Sequence, residues 1–206
     1  MPCRSVIFDP LEWTYVYTLA KRLLPELSFD RDLEATRAAA GFPGESIEAL
    51  RDFDWCCPAI YMPPFEQLIS GSVTVAVEGY TAEKLARRGV RPDVVVSDFD
   101  FNPRGVGLGR VAVVHVHGDN YWLIPSGPYI YTVQTWPVGC TANVSGFTDG
   151  DRAVYLAYYM GAREIAISGF NPEAPVKRGD LVKRKKLALA SHLLNRLSRR
   201  VAVSFV

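Results

Sequence analysis

The chain is poor in several things that would otherwise direct its reading. Glutamine occurs only at Gln67 and Gln134, and cysteine only at Cys3, Cys56, Cys57 and Cys140, in 206 residues. Four irregularly spaced cysteines exclude the dense disulfide framework of a small secreted domain. The adjacent pair Cys56 and Cys57 lacks the spacer and further ligands of a zinc clasp, so the cysteines read as buried free thiols that pack like small hydrophobes. Scarce glutamine, with arginine in excess of lysine, leans toward a thermophilic source, where intracellular disulfides are less rare. Charge of neither sign is in surplus, the formal net being +1, so nothing drives the whole surface toward nucleic acid, membranes or acidic partners. No apolar run approaches the roughly 20 residues that span a bilayer. The opening MPCRSVIFDPLEW lacks the basic-then-apolar build of a signal peptide. A cytoplasmic protein with no membrane or nucleic-acid partner is therefore expected. A Walker A sequence is absent too, which argues against a P-loop kinase.

What is present looks like an ordinary globular protein, 49% apolar and 22% charged, long enough for one substantial core and a small lobe. The first 57 residues read as helices. In LEWTYVYTLAKRLLPEL the apolar residues recur at helical spacing, with Asp9 to cap, Pro10 in the first turn and Pro25 to end the run. FDRDLEATRAAAGF predicts a second helix with an acidic cap, and SIEALRDF a short third. Aromatics in these helices could serve a homo-oligomer contact. From Pro58 to the end, short β-branched runs alternate with helical patterns: strands over 73–77, 93–97, 111–116 and 163–168, and a last one in RRVAVSFV. Strands joined by crossover helices predict an α/β fold, a mostly parallel Rossmann-like sheet with helices on both faces. The division is an N-terminal helical segment, 1–57, and an α/β catalytic domain, 58–206.

In open α/β sheets ligands bind beyond the carboxyl ends of the strands, and here those ends carry chemistry. One strand ends at Glu78-Gly79, the next at Asp98-Phe99-Asp100, another at His117-Gly118-Asp119-Asn120, and a later one at Ser168-Gly169. Alternation along a strand puts Asp98 and Asp100 on one side and turns Phe99 to the core. An isolated D-x-D is more often a solvated turn. Beside GDN, however, two converging carboxylates point to a cation, and magnesium commonly takes one or two carboxylates plus substrate phosphates; Asp119 could add a third. SGFTDGDRAV has the order of an anion-binding helix start, with Gly146 and Gly150 for close approach and Thr148 or Asp149 as cap. His115 reads as a hydrogen-bonded structural residue, while His117 at the strand exit can touch a nucleotide. Lys183 and Lys186, three apart on a long helix, reach phosphates if that helix borders the crevice.

PDVVVSDFDF, HVHGDN, GFTDGDRAVYLAYYMGAREIAISGFN and the later KRKKL stand in the order seen in the archaeal 6-hydroxymethyl-7,8-dihydropterin pyrophosphokinases, which the chain resembles from its first helix to about residue 190. That family is similar to the thiamin pyrophosphokinases. The resemblance implies transfer of a diphosphoryl group from ATP to the hydroxymethyl group of a reduced pterin, releasing AMP. It implies magnesium on Asp98 and Asp100 with Asp119 joining, and these as the catalytic residues. Gly118, Asn120 and the 148–151 loop (Thr148, Asp149, Gly150, Asp151), together with His117, Ser168 and Gly169, would lie against nucleotide or phosphates, with Lys183 and Lys186 steadying phosphate charge. The chain departs from the family pattern in CCPAIYMPPFEQL, where a glycine-rich loop is usual, and at Phe101, where a small residue is usual. Transfer to another alcohol such as thiamin, or nucleotide binding without catalysis, are the alternatives.

Overall fold

The valine runs become the middle of one sheet. A computed structural model describes residues 3–100, 102–173 and 180–206, so Phe101 lies outside the described residues. Nine strands are assigned: β1 (Val6–Ile7), β2 (Ala59–Tyr61), β3 (Thr74–Val77), β4 (Val94–Ser97), β5 (Val111–Val116), β6 (Ile130–Val133), β7 (Thr141–Asn143), β8 (Glu164–Ser168) and β9 (Ala202–Phe205). They form a single sheet in the order β1-β7-β6-β5-β4-β3-β2-β8-β9, and every pair is parallel. The α helices are α1 (Pro10–Leu23), α2 (Phe29–Ala39), α3 (Glu78–Arg87), α4 (Pro103–Val106), α5 (Asp149–Tyr159) and α6 (Leu181–Leu197). The α/β architecture read from the sequence is the one found, and the sheet is parallel throughout.

A parallel sheet is covered on both faces, so its strands are apolar on both. Alternate residues of β4 divide accordingly. Val94 and Val96 enter a core with Val16 and Ala20 of α1, Leu156 of α5 and Leu193 of α6. Val95 enters the opposite core, with Ala35 and Ala39 of α2 and Leu85 of α3. The first two helices therefore lie on opposite faces of the sheet. The linker between them crosses over the strands' carboxyl ends, where Glu26, Leu27 and Ser28 border the central crevice. From β2 to β7 the chain steps across the sheet in one direction, then returns to place β8 and β9 beyond β2. The switch point lies between β2 and β8.

Local departures from the sequence reading have plain causes. The cap of α2 is not acidic: the Ser28 side chain accepts from the Arg31 amide at 3.3 Å. The third helix is a 3₁₀ segment over Ile47–Asp52. Ala59–Tyr61, read as part of a loop, is a central strand, and the proline loop follows it. The cysteines are not buried thiols. Cys3 and Cys140 are bridged, tying the chain before β1 to the chain before β7, and Cys56 is exposed. No helix among the described residues is long and apolar enough to cross a membrane.

One buried charge fastens α1 to the end of the chain. Glu12, 2% exposed, accepts from Tyr155 Oη at 2.7 Å, from Arg196 Nε and Nη2 at 2.9 and 3.0 Å, and from Arg200 Nη2 at 2.9 Å. Burial alone pushes its carboxyl up, but the bonds from Arg196 and Tyr155 and the charge of Arg200 outweigh it, and the group stays below its ordinary 4.5. A depressed folded-state value means that the stabilisation is complete above pH 4.5 and is lost as pH falls through that lower value. Glu12→Gln is expected to lower the unfolding free energy by about 2–4 kcal/mol near neutrality. Denaturant melts at several pH values should show the gap to wild type shrinking in acid.

Candidate active site

A crevice of about 730 Å³ opens over the carboxyl ends of β2, β3, β4, β5, β6 and β8. Its floor is built by the turn after β4. The strand stops at Ser97, and Phe99 takes a left-handed conformation with φ of 67°. Ser97 Oγ accepts from the Phe99 amide at 3.1 Å, and Asp98 Oδ1 accepts from the Asp100 amide at 3.0 Å. Phe99 is buried in the α2-side core. Asp98 and Asp100 thus converge through a tight turn, not through strand alternation, since the strand has already ended.

Ligand atoms of Asp98, Asp100 and His117 all lie within 4.8 Å of one another, a cluster able to hold a metal ion. His117 Nε2 is 4.0 Å from Asp98 Oδ2, and its Nδ1 accepts from the Asp119 amide at 3.3 Å. Burial, with Arg152 nearby, lowers the imidazole to about 4 against the pull of Asp98, so His117 is neutral at pH 7. Asp119 is not in this group. Its Oδ1 is taken by Arg31 at 3.2 Å, and both side chains are largely exposed at the rim.

Two further carboxylates crowd the same space. Burial first, then the charge of Asp98, pushes Glu78 up to about 7 and Asp149 well above its usual range; the same causes put Asp100 at about 6. Glu78 opens α3 at φ of 67°, a strained value for a residue with a side chain. Tight backbone packing goes with it. A Cβ on Gly79 would sit 1.9 Å from Asn102 O, and one on Gly105 2.1 Å from Gly79 O, so α3 and α4 meet main chain to main chain. Asp149 Oδ2 accepts from the Asp98 amide at 3.0 Å, and its Oδ1 from Arg152 Nη1 at 3.1 Å. Arg152 is held in turn by Gln134 Oε1 at 3.2 Å, an atom that also bonds His115 Nε2 at 2.9 Å. His115 is the structural residue its sequence context indicated.

Positive groups line the crevice beside these acids. Thr148, Asp149 and Gly150 border the crevice, so the start of α5, with its unpaired amides and positive dipole end, opens into it. Thr148 is the cap, and Asp151 accepts from the Thr148 and Phe147 amides at 2.7 and 2.8 Å. Lys183 and Lys186 of α6 also line the crevice, Lys183 acting on Glu78 and Lys186 on Asp100.

Of the residues singled out in the sequence, Asp98, Asp100, His117, Gly118, Asp119, Thr148, Asp149, Gly150, Lys183 and Lys186 border the crevice. Four stand behind its wall. Asn120 is fully buried, donating to Asp98 O at 2.7 Å and His115 O at 2.9 Å while its Oδ1 accepts from the His117 amide at 2.8 Å. Asp151 is occupied by the cap just described. Ser168 Oγ donates to Gln67 O at 2.7 Å, and Gly169 passes so close to β2 that a Cβ would lie 1.9 Å from Met62 O. These four position the wall. Sequence reasoning missed Asp32, Gln134 and Arg152, whose places depend on distant packing; the helical pattern around Asp32 marks it only as polar.

Gly79→Ala is expected to lower the unfolding free energy by about 2–3 kcal/mol, since main chain must move to admit the methyl group. Gly107→Ala, whose Cβ would meet nothing closer than 3.7 Å, should change it by under about 0.5 kcal/mol. Thermal melts of the two variants check the contrast.

Fold and crevice together define a doubly wound α/β protein with a charged ligand site beyond its strand ends. No family model matches the chain. Three curated archaeal proteins do, each named 6-hydroxymethyl-7,8-dihydropterin pyrophosphokinase. The Methanothermobacter thermautotrophicus protein is 34% identical over 160 residues, 68% of this chain and 68% of that protein. The Pyrococcus furiosus protein is 43% identical over 104 residues, 47% of this chain and 45% of the relative. That of Methanocaldococcus jannaschii is 29% identical over 143 residues, 56% of this chain and 58% of the relative. The chain belongs to the family of 6-hydroxymethyl-7,8-dihydropterin pyrophosphokinases, and so to the transferases of the diphosphokinase kind.

Proposed function

We propose that the protein transfers a diphosphoryl group from ATP, with magnesium, to the hydroxymethyl group of 6-hydroxymethyl-7,8-dihydropterin, yielding the pterin diphosphate and AMP. One observation carries this reading. Asp98 and Asp100 converge in a crevice that the start of α5 and the lysines of α6 also line. Crowded carboxylates ask for a cation, and the cationic walls ask for polyphosphate. The donor set suits a hard ion: carboxylate oxygens from Asp98 and Asp100 would hold magnesium, which prefers oxygen ligands. Bound there, magnesium would neutralise phosphate charge and polarise the phosphoryl oxygens.

His117 serves better as a donor than as a ligand, because the Asp119 amide already points at Nδ1. The neutral ring then carries its proton on Nε2, turned toward Asp98 and the phosphates. In the reaction the acceptor's hydroxyl oxygen attacks the β-phosphorus of ATP and gives up its proton to a carboxylate of the crevice, the bond to the oxygen bridging the α- and β-phosphorus breaks, and AMP leaves with that oxygen. Lys183, Lys186 and the start of α5 hold the phosphoryl oxygens in line, and such transfer depends mainly on positioning and charge. Arg152 and Gln134 keep Asp149 under the Asp98 turn and so preserve the carboxylate spacing.

The direct test incubates the protein with ATP, magnesium and either the reduced hydroxymethylpterin or thiamin, and follows AMP. AMP with the pterin alone is expected; AMP with thiamin, or with neither, overturns the proposal. Asp98→Asn and Asp100→Asn should each lower kcat by about 10²- to 10³-fold, with circular-dichroism melts close to wild type. Near-wild-type rates in both would remove the metal assignment.

A further inference from the structure

The crevice is wide in one direction, and its two ends differ in chemistry. From β6, whose end carries the lining residue Gln134, to β8 the strand ends run β6, β5, β4, β3, β2, β8, five spacings or roughly 24 Å. The acid cluster is not central in that span: Asp98 and Asp100 follow β4, and His117 follows β5. At the near end stand Leu27 of the α1–α2 linker, Asp32 of α2 and Gly118. At the far end, at the switch point, stand Met62, Pro63, Pro64 and Phe170.

The two substrates differ in reach. A single methylene separates the pterin ring from its reacting oxygen, whereas a ribose and a phosphate separate adenine from the β-phosphorus. The short substrate must have its ring beside the acid cluster; only the long one can set its ring at the switch point. The near end also has the matching chemistry. The pterin's N3–H and 2-amino N–H are adjacent, parallel donors, a pattern that a carboxylate accepts in bidentate fashion. Adenine's edge offers one donor and one acceptor, which a carboxylate does not match.

Asp32 is the carboxylate for this. It is 7% exposed yet borders the crevice. Its Oδ1 accepts from the Gly118 amide at 2.9 Å and its Oδ2 from Tyr17 Oη at 3.0 Å. A carboxylate accepts about four hydrogen bonds, so each oxygen keeps one site for a ligand. The helix is held close: a Cβ on Gly118 would lie 2.6 Å from Arg31 Cβ. Asp98 and Asp100 belong to the acid cluster, Glu78 follows β3 on the side of that cluster away from β5, and the remaining acids of the crevice are paired or exposed. Asp149 is paired with Arg152, Asp119 with Arg31, and Glu26 and Asp180 are exposed.

We propose that Asp32 is the specificity residue that reads the amino-pyrimidine edge of the pterin at the β5–β6 end of the crevice, with adenine at the β2–β8 end. This rests on the pterin reading above. The experiment compares wild type and Asp32→Asn in steady-state kinetics, with ATP and magnesium, on the hydroxymethyl-dihydropterin and on its 2-deamino analogue. Wild type should use the deamino analogue with kcat/KM lower by about 10²-fold. Asp32→Asn should raise the pterin KM about 10- to 100-fold, leave the ATP KM within about twofold, and shrink the preference for the amino-bearing pterin. A residue that merely braced α2 would not move that preference. Equal use of both pterins by wild type overturns the assignment without any variant, as does a rise in the ATP KM in place of the pterin KM. Wild type that turns over neither pterin refutes the underlying reading and this one with it.

Discussion

Carboxylates crowded into a partly desolvated crevice repel one another, and the rest of the site is arranged around that repulsion. Asp98 and Asp100 are brought together by their own turn, Asp149 reaches under it to the Asp98 amide, and Glu78 is aimed at the same space from a strained helix start. Each lies above its ordinary proton affinity, or raises a neighbour's, for the same two reasons: burial and the charge of Asp98. Such a cluster is stable only beside positive charge. The fold supplies Arg152 beneath, and brings the start of α5 and two lysines of α6, neighbouring helices on one face of the sheet, to the lining of the crevice.

The scaffold explains why the crowding is tolerated. A sheet buried on both faces exposes only its strand ends to a ligand, and the valines of β4 anchor the turn from both cores. The first two helices clasp opposite faces, so the chain between them must pass over the strand ends. That passage carries Leu27 to the crevice and delivers Asp32 to the exit of β5. The Glu12 cluster holds α1 against α5 and the end of α6, the three helices that cover one face of the sheet.

β3, β4, β5, β8 and β9 were legible because buried parallel strands are continuous β-branched runs, as in VVVS and VAVVHV, whereas the interior strands β2 (Ala59–Tyr61) and β6 (Ile130–Val133) were not read. β1, with two residues, and β7, Thr141–Asn143, carry no such pattern and owe their strand state to neighbours. At the site, the paired acids and the TDGD helix start were readable because their geometry is local. Asn120, Asp151, Ser168 and Gly169 had the composition of ligand contacts, yet they satisfy backbone groups or permit close packing behind the wall. Polar residues at strand ends do both jobs, and sequence does not separate the two. Asp32 was hidden for the opposite reason. Its position follows from α2 packing on β5 and β6, with Asp32 and the Gly118 amide it binds 86 positions apart in the chain.

In the proposed reaction the paired carboxylates after β4 hold a divalent cation against the phosphates of the donor. Crystals grown with manganese and a non-hydrolysable ATP analogue measure this directly through anomalous scattering. The peak should lie between Asp98 and Asp100, with the phosphates reaching toward the start of α5 and Lys183. A peak at the Arg31–Asp119 rim, or none in the crevice with the nucleotide bound, would contradict it.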